Sequence, residues 1–247
     1  MAAVLIFLCG KKMLDFLCIF LYIQKQDNSV MPERGEVLGE DKATREKLLD
    51  SAREEFLEKG YMKASLRTIC KKAGVTTGAL YFFFQDKEDL LKKLVEKPLQ
   101  GLFGMMQEHF SLELSITPGV VPVGEDSWDI KAAKEIVHFM YRNYDIIQIL
   151  LTKSQGSIYE DIVSQVADAA EKHYRVLVGK MAEACGVPQP DGYMIHWLAY
   201  MQIDAFVHLL THEPDEERAL GHIEEIVIYL LSGWNGLFFQ KREKDDR

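Results

Sequence analysis

The sequence predicts an all-α fold, and three observations carry that expectation. Apolar residues recur at helical spacing along most of the chain. Seven prolines among 247 residues, set against that periodicity, argue against an all-β fold. Residues 60–91 read GYMKASLRTICKKAGVTTGALYFFFQDKEDLL, two short helices joined by a tight turn and followed at once by the start of a third. The length allows one large or two modest domains, and 48% hydrophobic content is enough for a real core.

Taken in order, a polar stretch at 31–41 precedes a helix expected over 42–59, with Ala43, Leu48, Leu49, Ala52, Phe56 and Leu57 turned inward. Leu66, Ile69, Cys70 and Ala73 then mark a short amphipathic helix over 65–73. Gly74 ends it, because glycine supplies the left-handed backbone of a helix exit. Thr76 can cap the next helix, 77–83, which is too short to be stable alone and must dock on its neighbours. Helix, glycine turn and capped helix form the helix-turn-helix pattern, whose second helix enters the DNA major groove. Asp86 caps a further helix that ends or bends at Pro98, and its continuation over 99–114 carries Leu102, Phe103, Met106 and Phe110.

Charge supports the same reading. The chain has a formal net charge of -9, yet residues 59–85 carry Lys59, Lys63, Arg67, Lys71 and Lys72 and no acidic residue. Lys63, Arg67 and Lys71 follow at i, i+4 spacing, one basic stripe if all lie on a helix. A basic island in an acidic protein is the footprint of a phosphate-binding face.

The run TICKKAGVTTGALYFFFQDKEDLL resembles the DNA-binding domain of TetR-type transcriptional regulators, and the resemblance covers about residues 42–97. It implies an all-helical, homodimeric protein with an N-terminal helix-turn-helix domain and a C-terminal ligand-binding and dimerisation bundle. By resemblance the recognition helix begins at Thr76. Thr76, Thr77, Gly78 and Ala79 then face base edges or phosphates, Tyr81 bonds a phosphate, and Lys87 approaches another. Lys63, Ser65, Arg67, Thr68 and Phe82 complete the expected DNA-facing set. Ala64, Cys70 and Phe83 depart from the family pattern, and Phe83 cannot supply the hydrogen bond that a Tyr or His gives there. The helix itself holds no Arg, Asn or Gln for a bidentate base contact. Readout therefore rests on a few weak direct contacts, phosphate positioning and DNA shape.

The remainder reads as a bundle. Residues 115–127, with Pro118, Gly119, Pro122 and Gly124, are the clearest loop. A helix pair over 128–144 and 145–153 follows, then a Ser-Gln-Gly-Ser turn and a long helix over 158–185 stopped by Gly186 and Pro188. The last two helices are expected over 192–212 and 215–240. The final one carries a wide apolar stripe including Ile223, Val227, Trp234, Leu237 and Phe238. In TetR-type proteins the last two helices pair with their mates, while ordinary intrachain core is the alternative use of the stripe. Candidate ligand-lining residues are Phe103, Met106, Phe110, Trp128, Phe139 and Tyr141, with Tyr144, Met181, Tyr193, Trp197, Met201 and Phe206. Aromatic and methionine side chains adapt to apolar ligands, although at helical spacing many of them serve simply as core.

Three domains or segments follow: an extension and polar linker at 1–41, the DNA-binding domain at 42–97 and the bundle at 98–247. The first thirty residues hold two apolar runs, neither reaching the ~18 residues that span a bilayer. Met31 is read as the working start, with a membrane anchor or amphipathic arm as the alternative. Cys9, Cys18, Cys70 and Cys185 show no metal-binding or redox spacing, which fits a reduced, cytoplasmic protein. No phosphate-cradling loop, HExxH or nucleophile elbow is present, so neither an enzyme nor a cofactor or resident metal is expected. One weaker metal face, Asp204, His208 and His212 with His196 or His173 completing it, is set below ordinary hydrogen bonding. The expected function is a sequence-specific transcriptional regulator, a repressor released from its double-stranded DNA operator by a small-molecule effector. The competing readings are an enzyme built on the bundle, with or without metal assistance, and an activator or membrane-tethered regulator with the same DNA head.

Overall fold

A computed structural model describes residues 39–116, 122–124 and 127–239. The two amino-terminal apolar runs, Met31, Cys9, Cys18 and part of the 115–127 loop lie outside the described residues. Among the described residues there are nine α-helices and no strand. They are α1 Gly39–Lys63, α2 Leu66–Ala73, α3 Thr77–Phe83, α4 Lys87–Ser115, α5 Trp128–Arg142, α6 Tyr144–Thr152, α7 Ile162–Cys185, α8 Gly192–His212 and α9 Glu216–Phe239. The chain divides into two compact units.

The first unit holds the described chain up to Gln100 and, unexpectedly, Thr152–Gln165. Leu48, Ala52 and Phe56 of α1 are fully buried, as are Ile69 of α2 and Leu80 of α3. Leu90, Leu91 and Val95 bury the matching face of α4. Regular helix in α1 gives way at Gly60, whose φ of 72° and ψ of 161° turn the chain before a last short turn. That turn is fastened by the returning segment, since Tyr61 N–H donates to the Lys153 carbonyl at 2.8 Å. Within the returning segment Ser157 Oγ donates to the Ser154 carbonyl and accepts from Tyr159 N, while the Tyr159 ring is buried.

Pro98 neither ends α4 nor confines it to one unit: the helix runs 29 residues through the proline. An interior proline forfeits one backbone hydrogen bond at a cost of about 3 kcal/mol. Burial of Val95, Leu99, Leu102 and Phe103 on the same helix offsets it.

The second unit holds Gly101–Leu151 and the described chain from Val166 onward. One of its cores joins Ile130, Ala133 and Val137 of α5 to Leu209 of α8 and to Ala219, Ile223 and Val227 of α9. Another joins Val178, Met181 and Ala182 of α7 to Ile195 of α8, with Trp234 and Leu237 of α9 packed on it. Trp234 lies 5.7 Å from the Tyr174 ring, so at least this part of the α9 stripe serves intrachain core. Asp191 caps α8 by accepting from Met194 N at 2.8 Å, and Asp215 accepts from Arg218 N at 2.9 Å ahead of α9.

Gly74 sets the backbone of the exit from α2. At φ 70° and ψ 29° it is left-handed, and it and Val75 donate to the Lys71 and Cys70 carbonyls at 3.3 and 3.0 Å. A Cβ placed there meets nothing within 4 Å, so Gly74→Ala carries only the backbone penalty. Gly74→Ala should lower stability by about 1–2 kcal/mol in urea unfolding. An unchanged midpoint would contradict a left-handed turn at this position.

Candidate nucleic-acid interface

The turn between α2 and α3 is built from side chains that satisfy helix ends. Ser65 stands at the N-cap of α2, accepting weakly from Thr68 N at 3.5 Å, and Thr76 Oγ1 accepts from Ala79 N at 3.2 Å to start α3. Leu80, with no exposed surface, pins the inner side of α3. Its other side leaves Thr76, Thr77 and Gly78 exposed, and Tyr81 and Phe82 are 57% and 64% exposed. Two large aromatic side chains standing out from a seven-residue helix are costly in water unless something covers them. Ala79 and Phe83 are half-buried, and Phe83 meets the Phe82 ring edge-on at 5.0 Å.

Glu55 sets how α2 meets α1. Its carboxylate is nearly buried, accepts from Ser65 N at 3.3 Å and faces Lys72 Nζ at 3.4 Å. Glu54 and Glu58 add contacts to the same lysine at 3.8 and 3.6 Å, and Lys59 pairs with Glu58. Lys59 and Lys72 are thus neutralised locally. Lys63, Arg67 and Lys71 stay exposed and form no ion pair with the described residues. Lys63 does not continue the stripe on α2, because the helix break at Ala64 and Ser65 separates it from Arg67 and Lys71. The net positive charge therefore comes from the Arg67–Lys71 pair on α2 and from Lys63 at the end of α1 rather than from one three-residue row. Ser65 is exposed and Thr68 half-buried beside them.

Lys87 has partners other than the phosphate that the resemblance implies. Its ammonium donates to the carbonyls of Tyr61, Met62 and Ala64 at 2.7, 3.3 and 3.4 Å, which accounts for its three donors. It also sits 4.4 Å from the centre of the Tyr61 ring. Burial holds this amine below the usual lysine range. Burial also pushes the Cys70 thiol up, which leaves it poorly suited to redox sensing.

In the second unit the residues expected around a ligand divide. Phe103, Met106 and Met181 are buried, Phe139 packs its ring onto Gly101, and Phe110 stacks on His173 at 4.1 Å. Tyr141 and Tyr144 stack at 5.3 Å and donate to the Glu213 and Leu210 carbonyls. Burial, followed by the charge of Tyr144, pushes the Tyr141 phenol up to about 12. Trp128 and Met201 are half-buried, and Phe206 packs against the α5–α8–α9 core. Tyr193 and Trp197 do not join them: they are 72% and 43% exposed, on the side of α8 away from buried Ile195 and Ala199. Periodicity gave them an apolar face without saying which side of α8 meets the core.

The weaker metal face also dissolves. His208 and His212 stack at 4.0 Å, His212 Nδ1 meets the His208 carbonyl, and their helix brings no third donor into range. His196 instead pairs with Glu171, whose carboxylate is held down first by that histidine and then by Arg175. Among the described residues a different set converges: His109, Glu113 and Asp129, with His173 bonded to Glu113. His109 and Glu113 share the signal of i, i+4 spacing, but Asp129 and His173 arrive from helices whose packing no spacing reveals.

The recognisable geometry is thus a capped short helix, exposed at Thr77 and Tyr81 and flanked by unpaired Arg67 and Lys71. Residues 48–94 match the family model of bacterial regulatory proteins of the tetR family. The transcriptional regulator UidR of Escherichia coli K12 is 27% identical over 139 residues, 54% of this chain and 69% of that protein. The regulator TtgW of Pseudomonas putida is 35% identical over 101 residues, 40% of this chain and 66% of that one. The repressor BepR of Brucella suis is 44% identical over 52 residues, 21% of this chain and 25% of that one. A TetR family regulator from Chloroflexus aurantiacus superposes with a TM-score of 0.53 at 18% identity, covering 78% of this chain and 93% of that one. At such identity the likeness is one of fold. The protein is a helix-turn-helix transcriptional regulator. It belongs to the TetR family.

Lys87→Ala tests the carbonyl anchor. Its removal leaves three carbonyls, two of them in partly buried bonds, without this donor, a loss of about 1–3 kcal/mol. The variant should melt at lower temperature while the salt dependence of DNA binding keeps its slope. An unchanged melt with a shallower slope would place the ammonium on a phosphate instead.

Proposed function

We propose that the protein is a homodimeric repressor that binds an operator through α3 and leaves it when a small molecule occupies its second unit. The single observation carrying the DNA reading is the outward face of α3, Thr76, Thr77, Gly78, Tyr81 and Phe82, beside Arg67 and Lys71. Thr77 can donate or accept at a base edge and touch a thymine methyl, while Gly78 and half-buried Ala79 let the backbone come close. Tyr81, Arg67, Lys71 and Lys63 supply phosphate contacts that position without reading sequence. Ser65 and Thr68 lie at the start of α2, whose positive dipole end also favours a phosphate. Lys87 acts indirectly, holding the end of α1 against the start of α4.

Repression is carried over from BepR, whose name gives it that role. An effector can release DNA only by binding one conformer of the regulator better than another. The helix α4 carries chain continuously from the first unit into the second, so a change in its second half has a covalent route to the DNA-binding unit. Phe103, Met106 and Phe110 lie on that second half and are the first candidates for the effector contact. No catalytic role is assigned to the bundle, and the place of action is the cytoplasm, where operator DNA lies.

Dimerisation is assigned to the outward faces of α8 and α9. Trp197 on α8 and Tyr229 on α9, 43% and 72% exposed, give these faces aromatic anchors of the kind that dominate interfaces. A twofold dimer closes on itself and presents two α3 helices to two half-sites.

Tyr81→Phe and Arg67→Ala should weaken binding nearly uniformly across DNA sequences. Arg67→Ala should also reduce the salt slope by about one phosphate's worth. Thr77→Ala should change the ranking of operators at one position, by less than the ~1–3 kcal/mol of a bidentate base contact. A Thr77 variant with unaltered ranking, or an Arg67 variant with altered ranking, would contradict these roles.

Tyr229→Asp tests the assembly. Tyr229 is exposed in one chain, so the substitution should leave the fold intact and yield monomer in sedimentation at micromolar concentration. A folded variant that stays dimeric would move the interface elsewhere.

A further inference from the structure

We infer that His109, Glu113 and Asp129 form a binding site for a divalent transition-metal ion of the zinc class within the second unit. His109 and Glu113 project from one face of α4 and Asp129 from the first turn of α5, and their donor atoms lie within 4.8 Å of one another. His109 Nε2 is 3.7 Å from Glu113 Oε1 and 3.4 Å from Asp129 Oδ1. These separations are too long for strong charge-assisted hydrogen bonds. Donors held at about 2.1 Å from a tetrahedral ion stand about 3.4 Å apart, close to the two separations measured from His109.

Charge and burial point the same way. The three side chains are 11–16% exposed, and two of them are carboxyls. Asp129 Oδ2 is buried and has no hydrogen-bond partner among the described residues. A divalent cation would neutralise both carboxylates.

The support around Glu113 is also of the kind that ligands need. His173 Nε2 meets Glu113 Oε2 at 2.6 Å, and its ring is clamped flat against Phe110 at 4.1 Å with 9° between planes. This histidine orients the carboxylate and leaves Oε1 turned toward His109, as hydrogen-bonded outer partners do around metal ions. Three protein donors leave a fourth position for water or another oxygen or nitrogen donor. A mixed imidazole and carboxylate set suits zinc, cobalt or nickel better than magnesium, which favours oxygen ligands in an octahedron. The site does not depend on the DNA reading, and metal binding is measurable without DNA.

The test is calorimetric titration of the metal-stripped full chain with zinc chloride, cobalt chloride and magnesium chloride, with visible spectra of the cobalt form. One zinc or cobalt ion should bind per chain, and magnesium should bind at least about tenfold more weakly. The cobalt spectrum should show ligand-field bands without the near-ultraviolet charge-transfer band of a thiolate ligand. Asp129→Asn, which keeps the shape, and His109→Ala should each weaken zinc at least tenfold, and His173→Gln by about 10–100-fold with the stoichiometry kept. His208→Ala should leave binding unchanged. Absence of binding by the folded wild-type chain would overturn the proposal. Zinc affinity unaltered in folded Asp129→Asn, or lost in His208→Ala, would overturn it equally.

Discussion

A helix of seven residues makes too few internal hydrogen bonds to hold its shape in water, and the DNA-facing surface depends on meeting that constraint. Three contacts meet it. Gly74 turns the chain with a left-handed residue, Thr76 satisfies an N–H at the start of α3, and Leu80 buries its inner side. The next layer fixes α2, where nearly buried Glu55 joins Ser65 N to Lys72. Lys87 then ties three carbonyls at the end of α1 to the start of α4. With its inner side committed to the core, α3 has only its outward face left to bind.

This arrangement also decides where positive charge acts. Lys59 and Lys72 spend theirs on Glu54, Glu55 and Glu58. Lys63, Arg67 and Lys71 keep theirs. The acidic remainder of the chain opposes non-specific adhesion to nucleic acid, so attraction is concentrated on the side that α3 faces. Function thus follows from how opposite charges are partitioned on α1 and α2 rather than from the number of lysines.

Elements set by local chemistry were legible in the sequence. The exit at Gly74, the cap at Thr76 and the bounds 192–212 rest on neighbours in the chain, and the structure places them at those residues. Contacts set by packing were not. The segment Thr152–Gln165 belongs with the first unit through a backbone bond from Tyr61 to Lys153, which no periodicity encodes. Pro98 left two outcomes open, and the long apolar face of α4 selected continuation. Tyr193 and Trp197 were expected to face inward because aromatic character marks an apolar face without marking its direction. His109, Glu113 and Asp129 gather from two helices separated by a loop, and His173 reaches them from a third.

The central claim is that α3 of each subunit in a twofold dimer reads one half of an operator. Selection of bound fragments from random double-stranded DNA by the full-length protein tests it most directly. The account predicts enrichment of an inverted repeat whose half-site centres lie about 10 base pairs apart, or a multiple of that. Enrichment of single, unpaired sites, or no sequence enrichment at low salt, would contradict it.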